Sequence, residues 1–284
     1  MSSKKPHLLE QVRFSKIDSP LLKYRNNIES QNGEDGVIAY IFSILPPVDK
    51  RYCVEFGAWD GKHLSNCFNL VRNLGWFGLF IEANEARFEQ LLVNHGSSNN
   101  VTCLKRLVEF EGPNRIDNLI GEANFPEDFD LLSIDIDGAD YFVWESVKNY
   151  RPRVVVIEFN PSIPNDVIFV QEKDMNTNQG SSLLALVVLG KQKGYELICA
   201  TTCNAIFILN EFYHLFGLSS NHINSLYAPI SDGRIFHGFD SYIYICGMPT
   251  LIWSRTKVDS DDFQVLPDSL RRFGDSLSKQ NSDD

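Results

Sequence analysis

RYCVEFGAWDGKHLSN, Arg51 to Asn66, joins a short apolar run to two glycines and then to a helix-like pattern. Cys53, Val54 and Phe56 read as a buried strand. Gly57 and Gly61 mark a turn of the kind that brings backbone close to a ligand. The same turn carries Glu55 and Asp60 against one lysine, Lys62. A pyrophosphate or triphosphate needs N–H groups in neutral or basic surroundings, and these glycines match neither GxGxxG nor GxxxxGK[ST]. The turn expects a nucleotide-like ligand that carries positive charge.

Outward from this turn, strand-like and helix-like patterns alternate. GEDGVIAYIFSIL (33–45) precedes it as a helix, stopped by Pro46 and Pro47. After it come a predicted helix over 63–75, a strand FGLFIEA (77–83) and a helix with Asn84 as N-cap (84–96). A strand over 101–108, a helix over 114–123, the strand FDLLSIDID (129–137), a helix over 140–149 and the strand RVVVIEFN (153–160) follow. Continuous apolar strands between amphipathic helices imply a parallel sheet covered on both faces. Beyond the helix pattern of 181–194, YELICATTCNAIFIL (195–209) reads as two strands joined near Thr201–Asn204, an antiparallel finish. The expected organisation is an N-terminal extension (1–29), a ligand-binding domain (30–210), an aromatic-rich cap on the substrate side (211–275) with a strand-like pair around 242–253, and a disordered polar tail (276–284).

The chain has 284 residues and a net charge of -11, which opposes general nucleic-acid binding. Its six cysteines are spread without a CxxC or a partner histidine cluster and read as free thiols, Cys199 and Cys203 included. MSSKKPHLLEQ lacks a signal-peptide core, and no segment has the length of a membrane span. A soluble cytoplasmic protein with neither membrane nor nucleic-acid partner is expected; a homo-oligomer stays open.

Ligands of open α/β sheets sit at the carboxyl ends of the strands. Those ends carry Glu55 and Asp60, Glu82, Asp135 and Asp137, and Glu158 with Asn160. Clustered carboxylates repel unless a cation, a positive ligand or a proton relieves them. S-adenosylmethionine (SAM) carries a sulfonium and an ammonium and no phosphate. Glu82, about 25 residues beyond Gly57, stands where dinucleotide folds place a ribose-reading acid.

The blocks SQNGEDGVI, VEFGAWDGKHLSN, IEAN, DLLSIDIDGADYFVW, VVVIEFNPS and GYELICATTCNAIFI resemble, in order, those of FkbM-like class I SAM-dependent methyltransferases over roughly residues 30–210. The resemblance implies a Rossmann-like doubly wound, mostly parallel sheet with antiparallel C-terminal strands, the class I methyltransferase fold. It implies a cofactor touching Glu55, Gly57, Asp60, Gly61, Glu82, Asn84 and Asp135, with Gln31 and Gly33 near its amino-acid end. It implies an acceptor hydroxyl on a small molecule or sugar; N-methylation and a non-catalytic SAM-binding module are the alternatives. The ends of the fourth and fifth strands are further similar to metal-dependent O-methyltransferases, which implies Mg2+ on Asp137, Glu158 and Asn160. Glu-Phe-Asn stands here where those enzymes have an adjacent acid–amide or acid–acid pair. Without a metal, Asp137 is the first candidate base, followed by His63 and His237. Trp59 is placed to stack on a ligand.

Overall fold

The computed structural model describes residues 19–228, 234–239, 242–246, 263–266 and 270. Two compact units divide the chain: Arg13–Pro229, and Met1–Val12 with Ile230–Asp284.

The larger unit is built on seven strands: β1 Tyr52–Phe56, β2 Phe77–Glu82, β3 Val101–Lys105, β4 Leu131–Ile134, β5 Val154–Glu158, β6 Tyr195–Ala200 and β7 Asn204–Leu209. Their order is β3-β2-β1-β4-β5-β7-β6. The pairs β1–β2, β1–β4, β2–β3 and β4–β5 are parallel, while β7 runs antiparallel to both β5 and β6. The predicted class of sheet and its antiparallel finish are both present. β1 is the topological switch point, since the chain winds outward from it in both directions. The glycine turn after β1 therefore opens into the crevice that this sheet order creates.

Alternation along the strands sends side chains to two faces. Val54, Phe56, Leu132, Ile134, Val155 and Ile157 pack in one apolar layer. Cys53, Phe80, Leu131, Val154 and Val156 pack in the other, beneath helix α1 (Glu34–Ile44). The same parity places Glu55, Glu82, Asp135 and Glu158 on the α1 side. Four carboxylates thus share one face at one end of the sheet.

Helices α2 (Phe68–Arg72), α3 (Glu85–His95), α4 (Ile116–Glu122), α5 (Asp140–Ser146) and α6 (Leu183–Gln192) cover the faces. The helix expected over 63–75 is confined to its second half. Leu64 adopts φ +59° and pairs with Ser30 as an isolated β-bridge, and the Ser65 hydroxyl and Asn66 N–H donate to Glu55. The buried carboxylate captures groups that a helix start would have used. After β7, short helices α7 (Asn210–Tyr213) and α8 (Ile223–Leu226) appear, and Ile223, Leu226 and Tyr227 join the core of this unit.

In the smaller unit, β8 (Arg234–His237) pairs antiparallel with β9 (Ile243–Cys246), and the Gln264 side chain bonds both backbone groups of Ile243. Residues 247–253 of the expected strand-like pair, the tail 276–284 and most of the N-terminal extension lie outside the described residues.

Candidate functional site

The turn after β1 is fixed from three sides. Gly57 has φ +69°, and a Cβ there would lie 1.7 Å from the Asp135 carbonyl oxygen. Gly61 has φ +67°, and its Cβ would meet Leu91 at 2.4 Å. Both positions therefore require glycine, for backbone conformation and for space. Glu82, 5% exposed, accepts the Trp59 N–H at 2.8 Å and the Asn84 N–H at 2.7 Å. From α3, Asn94 Nδ2 donates to the Asp60 carbonyl (2.8 Å), and His95 Nε2 lies 2.8 Å from the Gly61 carbonyl.

His95 is fully buried and stacks on Phe80, with centroids 4.8 Å apart. Burial holds its pKa below the ordinary value, so it serves this turn as a neutral ring. Sequence reasoning missed it because a histidine at a helix end resembles an ordinary last-turn residue.

Asp60 Oδ1 accepts the N–H groups of Lys62 and His63, and Asn84 caps α3 by accepting from Arg87 N. The His63 ring is exposed and packs edge-on to Trp59. Trp59 offers less free face than expected, because the Arg87 guanidinium lies 4.2 Å over its ring. His237 ends β8 in the smaller unit and is exposed.

The family resemblance implies that Glu55 touches the cofactor. Its carboxylate accepts from Ser65 Oγ and from Asn66 N at 2.8 Å, and it is 5% exposed. Burial pushes its pKa up to about 7 against those hydrogen bonds. These two bonds hold the loop after β1.

The leading block forms a second wall. Gly33 (φ +93°) opens α1, and a Cβ on it would meet Arg25 at 2.6 Å. Buried Glu34 accepts from Thr201 Oγ1 (2.6 Å), Asn204 Nδ2 (3.1 Å) and Asn32 N (2.6 Å), tying this block to the β6–β7 turn. Asp35 Oδ2 gathers the N–H groups of Ile28, Glu29 and Ser30. Gln31 and Asn32 thereby come beside Cys203, whose thiol donates to Gln31 Oε1 and accepts from Asn32 Nδ2. Glu34 and Asp35 looked like ordinary first-turn acids, so their clamping role was not visible in the pattern.

Between these walls, carboxylate oxygens of Asp135, Asp137 and Glu158 lie within 4.8 Å of one another. Asp135 reaches the open side of the crevice. Even so, desolvation, and then the Asp140 and Asp137 carboxylates, push it up to about 8. Glu158 is raised well above the carboxylate range by burial and then by Asp135. The two face each other as a pair that holds a proton, because two adjacent carboxylates resist double ionisation. Glu158 Oε2 is buried and has no hydrogen-bond partner among the described residues. Burial of Cys203, together with Glu158, drives its thiol upward and keeps it protonated.

Asp137 adopts φ +59°, held by the turn that follows β4. Asp140 is buried there and accepts from Ile136 N and Gly138 N, each at 2.9 Å. Asn160, expected to join Asp137 and Glu158 around a metal, is committed elsewhere. Its Nδ2 donates to the Gln179 carbonyl (2.7 Å), and its Oδ1 accepts from Ser162 N and Oγ. Asp135 stands with Asp137 and Glu158 in the carboxylate cluster. The Phe159 that separates Glu158 from Asn160 is buried in the opposite apolar layer, as strand alternation requires.

The raised carboxylates fix the sign of a pH effect. A folded-state pKa above the unfolded value near 4 means that the native state binds extra protons. The associated stability is present below about pH 4 and is lost as pH rises through about 6 to 8, the range set by Asp140, Glu55 and Asp135. Ligand-free protein is therefore expected to denature at lower urea concentration at about pH 8.5 than at about pH 5.5. Glu55→Gln should remove roughly 2 kcal/mol of that difference, because only the part of its titration between about pH 5.5 and 7 falls between the two conditions. A pH-independent urea midpoint would show that these groups titrate normally.

Residues 113–197 match the family model described as methyltransferase FkbM domain. No curated protein matches the chain. Among solved structures, the N-terminal domain of EvdMO1, determined in the presence of SAH and D-fucose, is similar at 11% identity over 64% of this chain and 83% of its own, with a TM-score of 0.41. Precorrin-6y C5,15-methyltransferase from Geobacter metallireducens GS-15 is similar at 15% identity over 65% and 92%, TM-score 0.39. An O-methyltransferase family protein from Burkholderia thailandensis is similar at 12% identity over 62% and 57%, TM-score 0.38. Among the described residues, no helix is long and apolar enough to cross a membrane.

Proposed function

We propose, from the premise that this chain carries an FkbM methyltransferase domain and is a SAM-dependent methyltransferase, that it methylates a hydroxyl group on a small molecule or sugar. The observation that carries the choice of acceptor is the convergence of Asp135, Asp137 and Glu158 at the ends of β4 and β5. Oxygen transfer needs a group that accepts the hydroxyl proton as the C–O bond forms and the C–S bond breaks. Asp137 fits that role. It is exposed at the crevice, and Asp140 and the left-handed turn fix its backbone. The Asp135–Glu158 pair shares a proton and supplies negative potential towards a sulfonium.

The cofactor would lie along the turn from Gly57 to Gly61, with Glu82 and Asn84 at its ribose and Gln31, Gly33 and Asp135 towards its amino-acid end. Asp60 would reach it only through the turn it braces. Transfer is direct, and alignment of sulfur, methyl and acceptor provides much of the acceleration.

A second reading places a hard divalent cation on Asp135, Asp137 and Glu158. Three oxygen donors within 4.8 Å and the orphaned Glu158 Oε2 favour it. Such an ion would lower the pKa of a bound hydroxyl. The experiment is formation of S-adenosylhomocysteine by EDTA-treated protein with a panel of hydroxylated and amine acceptors, with and without Mg2+. Metal-independent turnover of a hydroxyl acceptor supports the side-chain base, and restoration by Mg2+ supports the cation. Turnover of amines alone contradicts oxygen transfer. Asp137→Asn is expected to lower turnover ~10²-fold or more while leaving S-adenosylhomocysteine affinity unchanged. Unchanged turnover would remove Asp137 from the base role.

A further inference from the structure

Away from the carboxylate cluster, Phe110, Arg115, Phe142, Glu145, Lys148 and Lys173 line an open groove of about 300 Å³. In a chain of net charge -11, three cations around one groove are a local reversal of sign. Arg115 is partly answered by Asp117 at 3.2 Å, and Glu145 stands on the rim. Lys148 and Lys173 are exposed, and among the described residues neither has an ion-pair partner. The Lys173 ammonium lies 5.0 Å from the Phe110 ring and 5.4 Å from that of Phe142, so it stands over an aromatic floor rather than free in solvent.

The groove is tied to the crevice by the loop that carries Lys173. Gln171, 2% exposed, accepts from Gly180 N (2.8 Å) and Gln179 N (3.2 Å) and donates to the Thr177 carbonyl (2.8 Å). That side chain staples residues 171–180 into a fixed shape. The Thr177 carbonyl oxygen in turn lies 2.4 Å from where a Gly138 Cβ would be, beside Asp137. Phe142, on the groove floor, belongs to the helix that Asp140 begins. An anion held by Lys173 would therefore sit on a rigid element anchored to the turn of the candidate base.

We propose that this groove is an anion subsite that seats a phosphate monoester borne by a small molecule. As the anchor of a methyl acceptor it rests on the transfer reading above; as an anion site it stands independently. The lysine ammonium groups meet the phosphate oxygens, and the phenylalanine rings meet the adjoining carbon skeleton.

The test uses phenyl phosphate, with phenol as the neutral control, titrated into the full chain by ligand-observed NMR without cofactor. Phenyl phosphate should bind with a Kd on the order of millimolar or tighter, and phenol at least tenfold more weakly. The double variant Lys148→Ala/Lys173→Ala should weaken phenyl phosphate roughly tenfold, and raised salt should weaken the wild type similarly. S-adenosylhomocysteine titrated into the same variant reports whether the crevice is intact. Equal binding of phenol and phenyl phosphate, or phenyl phosphate binding that the double variant leaves unchanged, overturns the proposal. If S-adenosylhomocysteine fails to bind the wild type while phenyl phosphate behaves as described, the anion site stands and the transfer reading falls.

Discussion

Gly57→Ala is expected to unfold at much lower urea concentration than the wild type and to lose affinity for adenosyl ligands by at least a hundredfold. The added Cβ would lie 1.7 Å from the Asp135 carbonyl oxygen, in a backbone conformation of φ +69°. Neither atom can give way cheaply, because both belong to the ends of paired strands β1 and β4. Relief of the clash would spread those strands at the crevice and shift Asp135. A destabilisation of ~4 kcal/mol or more is the scale of such main-chain clashes with strain. Gly75→Ala is the matched control. Gly75 has φ +71°, but a Cβ there meets nothing within 4 Å, so only the backbone term of ~1 kcal/mol applies. Equal urea midpoints for the two variants would show that the contact with Asp135 is not tight.

Glu82→Ala should abolish adenosyl binding while costing ~2 to 4 kcal/mol of stability. The carboxylate accepts two backbone N–H groups, from Trp59 and Asn84, so its removal leaves two donors at the mouth of the crevice without partners. Glu82→Gln is not a conservative replacement here. Its amide must point an NH2 group at one of the two N–H donors, and half of the loss should persist. Denaturation curves and ligand titrations on both variants separate the contributions. An alanine variant with wild-type affinity would exclude Glu82 as a ribose contact.

The fold was legible because its signal is repeated. Apolar strands of four to six residues and the helices between them all point to one parallel sheet, and Thr201–Asn204 interrupts the last apolar run as a turn does. Strand-end acids were legible for the same reason, since alternation puts Glu55, Glu82, Asp135 and Glu158 on one face. What alternation does not encode is which carboxylate turns inward to bind its own backbone. Glu55 bonds Ser65 and Asn66, and Asn160 bonds Gln179 and Ser162, so both also brace loops. Their partners lie on segments whose paths depend on tertiary packing, such as the Ser30–Leu64 bridge. Gln171 and His95 were invisible for a related reason. A buried amide in a long loop and a histidine at a helix end gain meaning only from the carbonyls they meet.

The acidic crevice beside Gly57 is expected to hold an adenosyl cofactor. Isothermal titration of the full chain with S-adenosylhomocysteine, with wild type and Glu82→Ala side by side and NAD as a control, tests it most directly. The expected result is binding on the order of micromolar by the wild type, lost in the variant and absent for NAD. No heat of binding by the wild type at any concentration up to about a millimolar, or equal binding by the variant, would contradict it.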